Sequence, residues 1–440
     1  MRRQFAVFCV FSSVGLAACG RDEAPVPPPP EPAPIESAAP SGSAAPATPA
    51  TSAETPADLD QGLLVAISRF EMKDQKPIPK SELLVLTRRG GEWHAASYED
   101  PDSNVLHKAM PYTPPGEAPG ILTIGGSAAA VKLWRVGPHG LAPEETLWEK
   151  DFGGKTSRMR DAEVGDLYGD GMPAIAVATH DQGVVAVIHP KADGTSSVDE
   201  LYHKPDTFIH EIEIGDLDDD GVLEFYATPS APNKLDGKPQ PGTVMRFVPS
   251  TGGGPTVVAD LGQRHAKEIW VGDVDGDGTD ELYVSIEAAE GGDLEIRRYE
   301  AGTDPSAGAT IVTLSDPMCR FLTVGDVEGD GAREMVIAAK DSGLWLARPG
   351  EDPNAAWELS LIDADSKGFE HASVLADLDG DGRDELYVAS DETKEIRRYV
   401  WTGDGFARET IHSRKSPLPV LTWNIMPVPV ALVEPAPTAD

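Results

Sequence analysis

The chain has 440 residues, and its 37 lysines and arginines are set against 73 aspartates and glutamates, for a formal net charge of −36. Nucleic acid is excluded as a partner, because phosphate backbones require a basic binding surface. The length exceeds what one small domain needs, so a large fold or several units are expected.

The first 18 residues have the pattern of an export signal. Arg2 and Arg3 precede a short apolar run from Phe5 to Leu16, too short to span a bilayer stably. The sequence Leu16-Ala-Ala-Cys19-Gly20 then resembles a bacterial lipobox. The resemblance implies cleavage before Cys19, lipidation of its thiol and a membrane anchor in the cell envelope, and Gly20 favours the outer membrane. The alternative is an ordinary secretory peptide.

Residues 19–58 comprise this cysteine and a segment rich in Pro, Ala and Ser, which includes the run Pro27 to Pro30. Such a composition cannot bury enough apolar surface to fold, so we expect a disordered, semi-rigid tether. Once Cys9 leaves with the signal and Cys19 carries lipid, Cys319 is the remaining cysteine. An exported fold without an intramolecular disulfide needs another means of stabilisation, and a metal is the obvious candidate.

From about residue 60 the chain consists of short β-type runs, among which an acidic motif recurs. The first Asp of the motif falls at 166, 216, 273, 326 and 377, at intervals of 50, 57, 53 and 51 residues. In each period one apolar run leads into the motif and three more follow, such as Leu282 to Val284, Leu294 to Tyr299 and Ile311 to Leu314. Four antiparallel strands per repeat are typical of a propeller blade.

Two further units precede these repeats and lack the motif. Pro119 to Ile124 matches the second strand of the following unit, whereas residues 62–97 supply only three strands. The fourth strand is predicted at residues 420–426, where a C-terminal strand would complete the N-terminal blade. The predicted fold class is therefore all-β: a seven-bladed β-propeller of four-stranded antiparallel blades over residues 59–430, followed by a disordered tail at 431–440.

The motif places carboxylates at positions 1, 3, 5 and 9, counted from its first Asp, around a glycine at position 6. Ca²⁺ prefers six to eight hard oxygen ligands, so each loop is a candidate calcium site. Acidic surface turns are the alternative, but five copies in one register favour a metal. An EF-hand is excluded because position 12 is apolar in every copy.

Four of the loops carry all four acidic side chains. The first keeps two, because Tyr168 and Ala174 occupy its positions 3 and 9, and we expect it to bind calcium weakly. The predicted ligands are Asp216, Asp218, Asp220, Glu224, Asp273, Asp275, Asp277, Glu281, Asp326, Glu328, Asp330, Glu334, Asp377, Asp379, Asp381 and Glu385, with Asp166 and Asp170 as the weak pair.

The units resemble FG-GAP/VCBS-type repeats, found in the propeller of integrin α subunits and in many bacterial exported proteins. The resemblance covers roughly residues 104–412, and the first loop and the two motif-free units depart from its pattern. It implies that the calcium ions are structural and that the propeller serves as a binding surface. Some members of the family are lectins, or are attached to polysaccharide lyases.

A second set of residues lies six positions before the first Asp of each motif: Arg160, His210, Lys267, Arg320 and His371. In a propeller this position falls at the start of the innermost strand, at the mouth of the central channel opposite the calcium loops. We therefore hypothesise a basic ring that binds a carboxylate, a phosphate or an acidic glycan. The alternative is that these side chains neutralise nearby acids such as Glu268 and Glu370.

The sequence thus predicts a monomeric, calcium-stabilised lipoprotein without catalytic activity, which acts as a binding or scaffold module for a protein or an anionic glycan. A polysaccharide lyase is the competing class, with Lys267, His210 or His371 as its base. A lectin is disfavoured, because aromatic residues do not repeat in register between the units.

Overall fold

The computed structural model describes residues 57–153, 157–191, 193–232 and 238–434. The chain divides into units 1–51 and 52–440, and the described residues belong to the second. The predicted signal peptide, the predicted lipidation site Cys19 and most of the predicted tether lie outside the described residues, as do residues 435–440. Within the described ranges, no helix has the length and apolar character needed to cross a membrane.

The described residues form 28 β-strands and two single-turn 3₁₀ helices. One four-stranded sheet contains β28 (Val420–Pro429), β1 (Gln61–Lys73), β2 (Lys76–Arg89) and β3 (Glu92–Tyr98). An eight-stranded sheet contains β4 (Val105–Tyr112), β5 (Gly120–Ser127), β6 (Ala129–Gly137), β7 (Gly140–Lys150), β8 (Ser157–Gly165), β9 (Ala174–Thr179), β10 (Val184–Pro190) and β11 (Ser196–His203).

Four more sheets contain four strands each, paired in chain order. They are β12 (Phe208–Gly215), β13 (Glu224–Ser230), β14 (Thr243–Phe247) and β15 (Thr256–Asp260); β16 (Ala266–Gly272), β17 (Glu281–Ile286), β18 (Leu294–Tyr299) and β19 (Ala309–Leu314); β20 (Cys319–Gly325), β21 (Glu334–Ala339), β22 (Leu344–Arg348) and β23 (Glu358–Asp363); and β24 (His371–Ala376), β25 (Glu385–Ser390), β26 (Glu395–Trp401) and β27 (Phe406–Ser413). The 3₁₀ helices are Pro249–Thr251 and Val430–Leu432.

The second strand of each repeat is the most buried element. In β17, as in β13, β21 and β25, every residue is buried, which explains why these strands read as continuous apolar runs. The fourth strands β19, β23 and β27 lie at the sheet edge, and polar residues occupy most of their exposed positions, with Leu361 as an apolar exception. The core lies in layers between adjacent sheets, where Tyr283 and Ile296 of one sheet pack with Met335 and Ile337 of the next.

The first strands of successive units contact one another in a closed order. β28 contacts β4, and the contacts continue through β8, β12, β16, β20 and β24, which contacts β28 again. β28 also pairs with β1, from Gln61 opposite Pro429 to Arg69 opposite Val420. The prediction of an all-β fold built from four-stranded antiparallel sheets is confirmed, and the fold is of the β-propeller type.

Two details differ from the expected plan. The units β4–β7 and β8–β11 form one sheet, because β5 and β8 share two residue pairs, Gly126 with Arg158 and Ser127 with Ser157. The sequence predicts a disordered tail from residue 431 to 440, but Val433 is buried in the core, and Glu434 forms a 3.3 Å salt bridge with Arg89.

Candidate functional site

The five acidic loops share one backbone geometry. In each, the glycine at position 6 has a positive φ of 79–93°, which favours glycine, and its N–H donates to Oδ2 of the first Asp over 2.8–3.0 Å. The Asp at position 5 accepts the N–H of position 7 over 2.9–3.2 Å. Two carboxylates of every loop therefore brace the turn itself.

Three loops bring several carboxylates close together. The sets are Asp216, Asp218 and Glu224; Asp273, Asp275 and Glu281; and Asp377, Asp379 and Asp381, each offering oxygens within 4.8 Å of one another. Oδ1 of Asp379 is buried and makes no hydrogen bond with a described residue. An all-oxygen, acidic donor set with a buried unpaired oxygen fits Ca²⁺. The loops at 166 and 326 do not reach this spacing among the described residues.

An arginine from the third strand enters each of these three clusters. Arg298 Nη2 lies 2.7 Å from Oδ2 of Asp275 at position 3 and 3.0 Å from Oε1 of Glu281 at position 9. Arg246 and Arg398 make the same pair of contacts in the loops that begin at Asp216 and Asp377. From the sequence, the pairs Arg297-Arg298 and Arg397-Arg398 are expected only to balance nearby acids, and a place in the acidic loops is not predicted, although Arg246, Arg298 and Arg398 recur at intervals of 52 and 100 residues.

Position 8 links neighbouring loops. Oδ2 of Asp280 accepts the backbone N–H of Asp216 over 2.9 Å, and Oδ2 of Asp384 accepts that of Asp326 over 2.8 Å. At the same position, Arg333 donates to the carbonyl oxygen of Asp273 over 3.3 Å. Four acidic loops, those that begin at Asp216, Asp273, Asp326 and Asp377, are therefore joined from one sheet to the next, a role for position 8 that the motif alone did not indicate.

The five residues proposed for the basic ring all lie on first strands and are all buried, with 0–6% of each residue exposed. Four of them coincide with a register shift, where the first strand carries one residue more than its partner strand. Such bulges redirect side chains and recur near functional sites. His371 is the exception, because β24 pairs with β25 without a shift.

The same register shift identifies two further residues, which counting back from the first Asp of a motif does not find. β4 has its extra residue at His107, and β28 has it at Trp423. The His107 and Trp423 rings are 4.7 Å apart, and the Arg160 guanidinium lies 5.6 Å from the Trp423 ring centre. We call Trp423, His107, Arg160, His210, Lys267, Arg320 and His371 the bulge layer. Because the unit of His107 and that of Trp423 have no acidic loop, counting back from an Asp could not find them.

The bulge layer is a mixture of charged and neutral groups. Burial lowers the pKa of His371 to about 4, and burial likewise takes the pKa of His210 well below its usual value. His371 is fully engaged, since it hydrogen-bonds the Ala339 carbonyl at 3.0 Å and Ser366 Oγ at 2.8 Å. Arg320 pairs with Glu370 at 2.5 Å.

Arg160 and Lys267 differ from these residues in having no close carboxylate. Among the described residues, neither cation has a carboxylate within 4.0 Å, and Nζ of Lys267 instead lies 3.3 Å from Nδ1 of His210. Burial, together with the positive charge of Arg320, lowers the pKa of Lys267 to about 8. Nε of Arg160 and Nε2 of His210 are buried without a hydrogen-bond partner among described residues.

An acidic layer follows directly along the first strands. Burial raises the pKa of Glu268 to about 7 against the opposing effect of Arg160 and Lys267, and burial raises that of Glu211 well above its usual value. Lys108 forms a 3.0 Å salt bridge with Asp161 in this layer. The cations of the bulge layer are therefore balanced in part by acids that lie beyond direct pairing distance.

A cleft of about 200 Å³ opens beside the bulge layer. His265 lies in the wall of the cleft, and the centre of its ring is 5.0 Å from the centre of the His210 ring. Phe369, also in the wall, has its ring 4.6 Å from the Arg320 guanidinium and is 36% exposed. Both residues precede their first strands, so the cleft lies at the strand ends remote from the acidic loops. Residues of the bulge layer do not line the cleft themselves, but its wall residues His265 and Phe369 lie against His210 and Arg320.

No family model matches the chain, and no curated protein matches it in sequence. Among solved structures it is similar to a protein from Lactobacillus plantarum, with a TM-score of 0.51, 11% identity, and coverage of 84% of this chain and 99% of that one. A putative 6-phosphogluconolactonase from Bacteroides fragilis has a TM-score of 0.50, 13% identity and coverage of 86% and 100%. The Dos1 propeller has a TM-score of 0.48 at 9% identity, with 71% and 72% covered. At these identities the first two likenesses concern the fold alone.

Proposed function

We propose that this chain is a seven-bladed, calcium-stabilised β-propeller that acts as a lipid-anchored binding module of the bacterial cell envelope. The closed order of seven first strands supports the blade count. The three carboxylate clusters support Ca²⁺, which would supply cross-links between the first and second strands of a blade. The five repeated loops are also the basis for relating the chain to FG-GAP/VCBS-type propellers. We further propose that Cys19 is lipidated, that the protein is located at the outer membrane and that it is a monomer.

Recognition takes place at the bulge layer and the adjoining cleft, where an anionic group of a glycan or a protein binds. The observation that carries this proposal is the pair Arg160 and Lys267, two buried cations on the first strands either side of His210, neither of which has a carboxylate of the described residues within 4.0 Å. Buried cations without a directly paired carboxylate are costly even where more distant acids balance them in part, so an anionic ligand would stabilise them. In this view Arg320 and His371 have mainly structural roles, because both already have partners in the protein.

The test is a binding screen of residues 59–440 against arrays of acidic and neutral glycans and envelope proteins, with and without Ca²⁺. For a ligand found in this way, we expect the double variant Arg160→Met with Lys267→Met to bind at least about tenfold more weakly, the loss of one charge-assisted contact. Arg158→Met is the matched control, since Arg158 lies on the same strand and pairs with Asp181 at 3.2 Å. Unchanged affinity in a folded double variant would place recognition elsewhere.

A lyase acting on acidic polysaccharides is the second candidate, favoured by one observation. Lys267 has a pKa lowered to about 8 by burial and lies 3.3 Å from a histidine nitrogen, which suits a general base beside a second polar group. Incubation with polyuronates, followed by the absorbance of unsaturated products, distinguishes the two candidates. Turnover that is lost in Lys267→Met would establish the enzyme and overturn a purely binding role.

A further inference from the structure

The third-strand arginines of the acidic loops have a more specific arrangement than surface ion pairs. In all three cases a single nitrogen, Nη2, contacts position 3 and position 9 at once. Each arginine lies directly opposite the tyrosine at position 11 in the strand register, as in Tyr283 opposite Arg298. The arrangement is therefore specified by the sheet and repeats in three separate units.

The tyrosine completes the arrangement from the other side of the glutamate. Tyr226 donates its hydroxyl hydrogen to Glu224 over 2.6 Å, Tyr283 to Glu281 over 2.9 Å, and Tyr387 to Glu385 over 2.8 Å. These three glutamates are 0–3% exposed. A buried carboxylate that has both a hydroxyl donor and a guanidinium partner is held in place without any metal.

The other two loops serve as internal comparisons. In the loop at 326, position 11 is Val336, and Arg348 contacts Glu328 at 2.5 Å without a contact to Glu334, which instead accepts the Val327 N–H over 3.0 Å. In the loop at 166, position 9 is Ala174, and His189 contacts Asp170 at 2.9 Å. Only where tyrosine stands at position 11 does the arginine join positions 3 and 9 in the described residues.

We propose that Arg246, Arg298 and Arg398 are built-in counter-cations of their loops. Each holds the carboxylates of positions 3 and 9 together when calcium is absent and, by its own charge, weakens the binding of calcium to the same carboxylates. The guanidinium remains charged at all physiological pH values, so its effect is permanent. The weakening of calcium binding rests on the proposed function, in which the loops bind Ca²⁺. The bracing of the metal-free loop rests only on the arginine and tyrosine contacts described above.

The experiment compares Arg298→Met with Arg297→Met in the full-length chain purified in detergent. Arg297 is the neighbouring residue and pairs with Glu295 at 2.8 Å, outside the loop, so it controls for the loss of a strand arginine. Calcium titration by calorimetry should show that Arg298→Met binds Ca²⁺ roughly tenfold more tightly at one site, as expected for removing a unit charge about 5 Å from a divalent ion in a water-like dielectric. In chelator, Arg298→Met should melt several degrees below Arg297→Met, and saturating Ca²⁺ should reduce that difference.

Equal or weaker calcium affinity in Arg298→Met would overturn the repulsive role, because an arginine that only positions ligands would aid binding. Equal melting temperatures of the two variants in chelator would overturn the bracing role. If the wild-type chain binds no calcium, the proposed structural role of Ca²⁺ is wrong. The comparison of melting temperatures in chelator still tests whether Arg298 holds the metal-free loop together. Should Arg298→Met fail to fold, Arg246→Met provides the same comparison at a site whose side chain is 21% exposed.

Discussion

The buried histidine His371 makes the stability of the fold depend on pH in a calculable way. Its Nδ1–H donates to the Ala339 carbonyl at 3.0 Å, so Nε2 accepts the Ser366 hydroxyl at 2.8 Å, and the ring is neutral. Burial lowers the pKa of this ring from 6.5 to about 4. A base with a lowered pKa in the folded state contributes stability above its unfolded pKa and loses it as the pH falls.

The size of the effect of pH on stability follows from the shift in the pKa of His371. Moving the pKa from 6.5 to about 4 corresponds to about 3 kcal/mol at about 1.4 kcal/mol per pKa unit, as an upper value for a ring that cannot relax. Between pH 6.5 and pH 4, the unfolded chain takes up a proton at this residue that the folded chain does not. Wild-type stability should therefore fall in this window by up to about 3 kcal/mol through His371 alone.

The assay is urea unfolding of the wild type and of His371→Asn at several pH values from 4 to 8, because the Asn amide can still donate to Ala339. The stability advantage of the wild type over the variant should be greatest above pH 6.5 and shrink towards pH 4. His94→Asn is the control, since His94 is exposed on β3, and its curve should run parallel to that of the wild type. Parallel curves for His371→Asn and wild type would refute the reasoning.

Three further outcomes are expected. A calcium chelator should lower the melting temperature of the protein by several degrees, and an unchanged value in calorimetry would count against structural calcium. Arg320→Met should destabilise the fold by about 3–5 kcal/mol in urea unfolding, because the Glu370 side chain, 2% exposed, loses its ion-pair partner. Adding Glu370→Leu should recover much of this loss in stability. A small effect of Arg320→Met alone would mean that water already hydrogen-bonds the Glu370 carboxylate. Cys19→Ser should release the protein from the membrane fraction on sedimentation, and continued sedimentation with the membranes would argue against the lipid anchor.

Much of the fold could be predicted from the sequence because each unit obeys the same local rules. The second strands are continuous apolar runs bounded by an acidic turn, and the predicted run Leu294 to Tyr299 has the bounds of β18. The glycine at position 6 marks the turn in every copy through its positive φ. The joining of β5 to β8 could not be predicted, because it consists of backbone pairing at Gly126 and Ser127 that leaves no pattern in the side chains.

The site was less predictable than the fold, for two physical reasons. Counting back six residues from each first Asp identified Arg160, Lys267 and Arg320. Whether each cation has an ion-pair partner depends on residues outside its own strand, such as the Glu370 carboxylate beside Arg320. The other reason is register: Arg298 reaches its loop because it lies opposite Tyr283, and the pairing of the second and third strands sets this distance. Repetition of Arg246, Arg298 and Arg398 after tyrosine-bearing motifs is the signal that could have revealed them.

The pairing of β28 with β1 has a consequence for the order in which the molecule can form. Chains are made from the N-terminus, so β1 exists long before its partner at Val420–Pro429 is available. Until then one edge of β1, including the run Leu63 to Ile67, has no strand beside it and is open to wrong pairing. β28 thus closes the N-terminal sheet, and β1 stays exposed to wrong pairing until β28 has been synthesised.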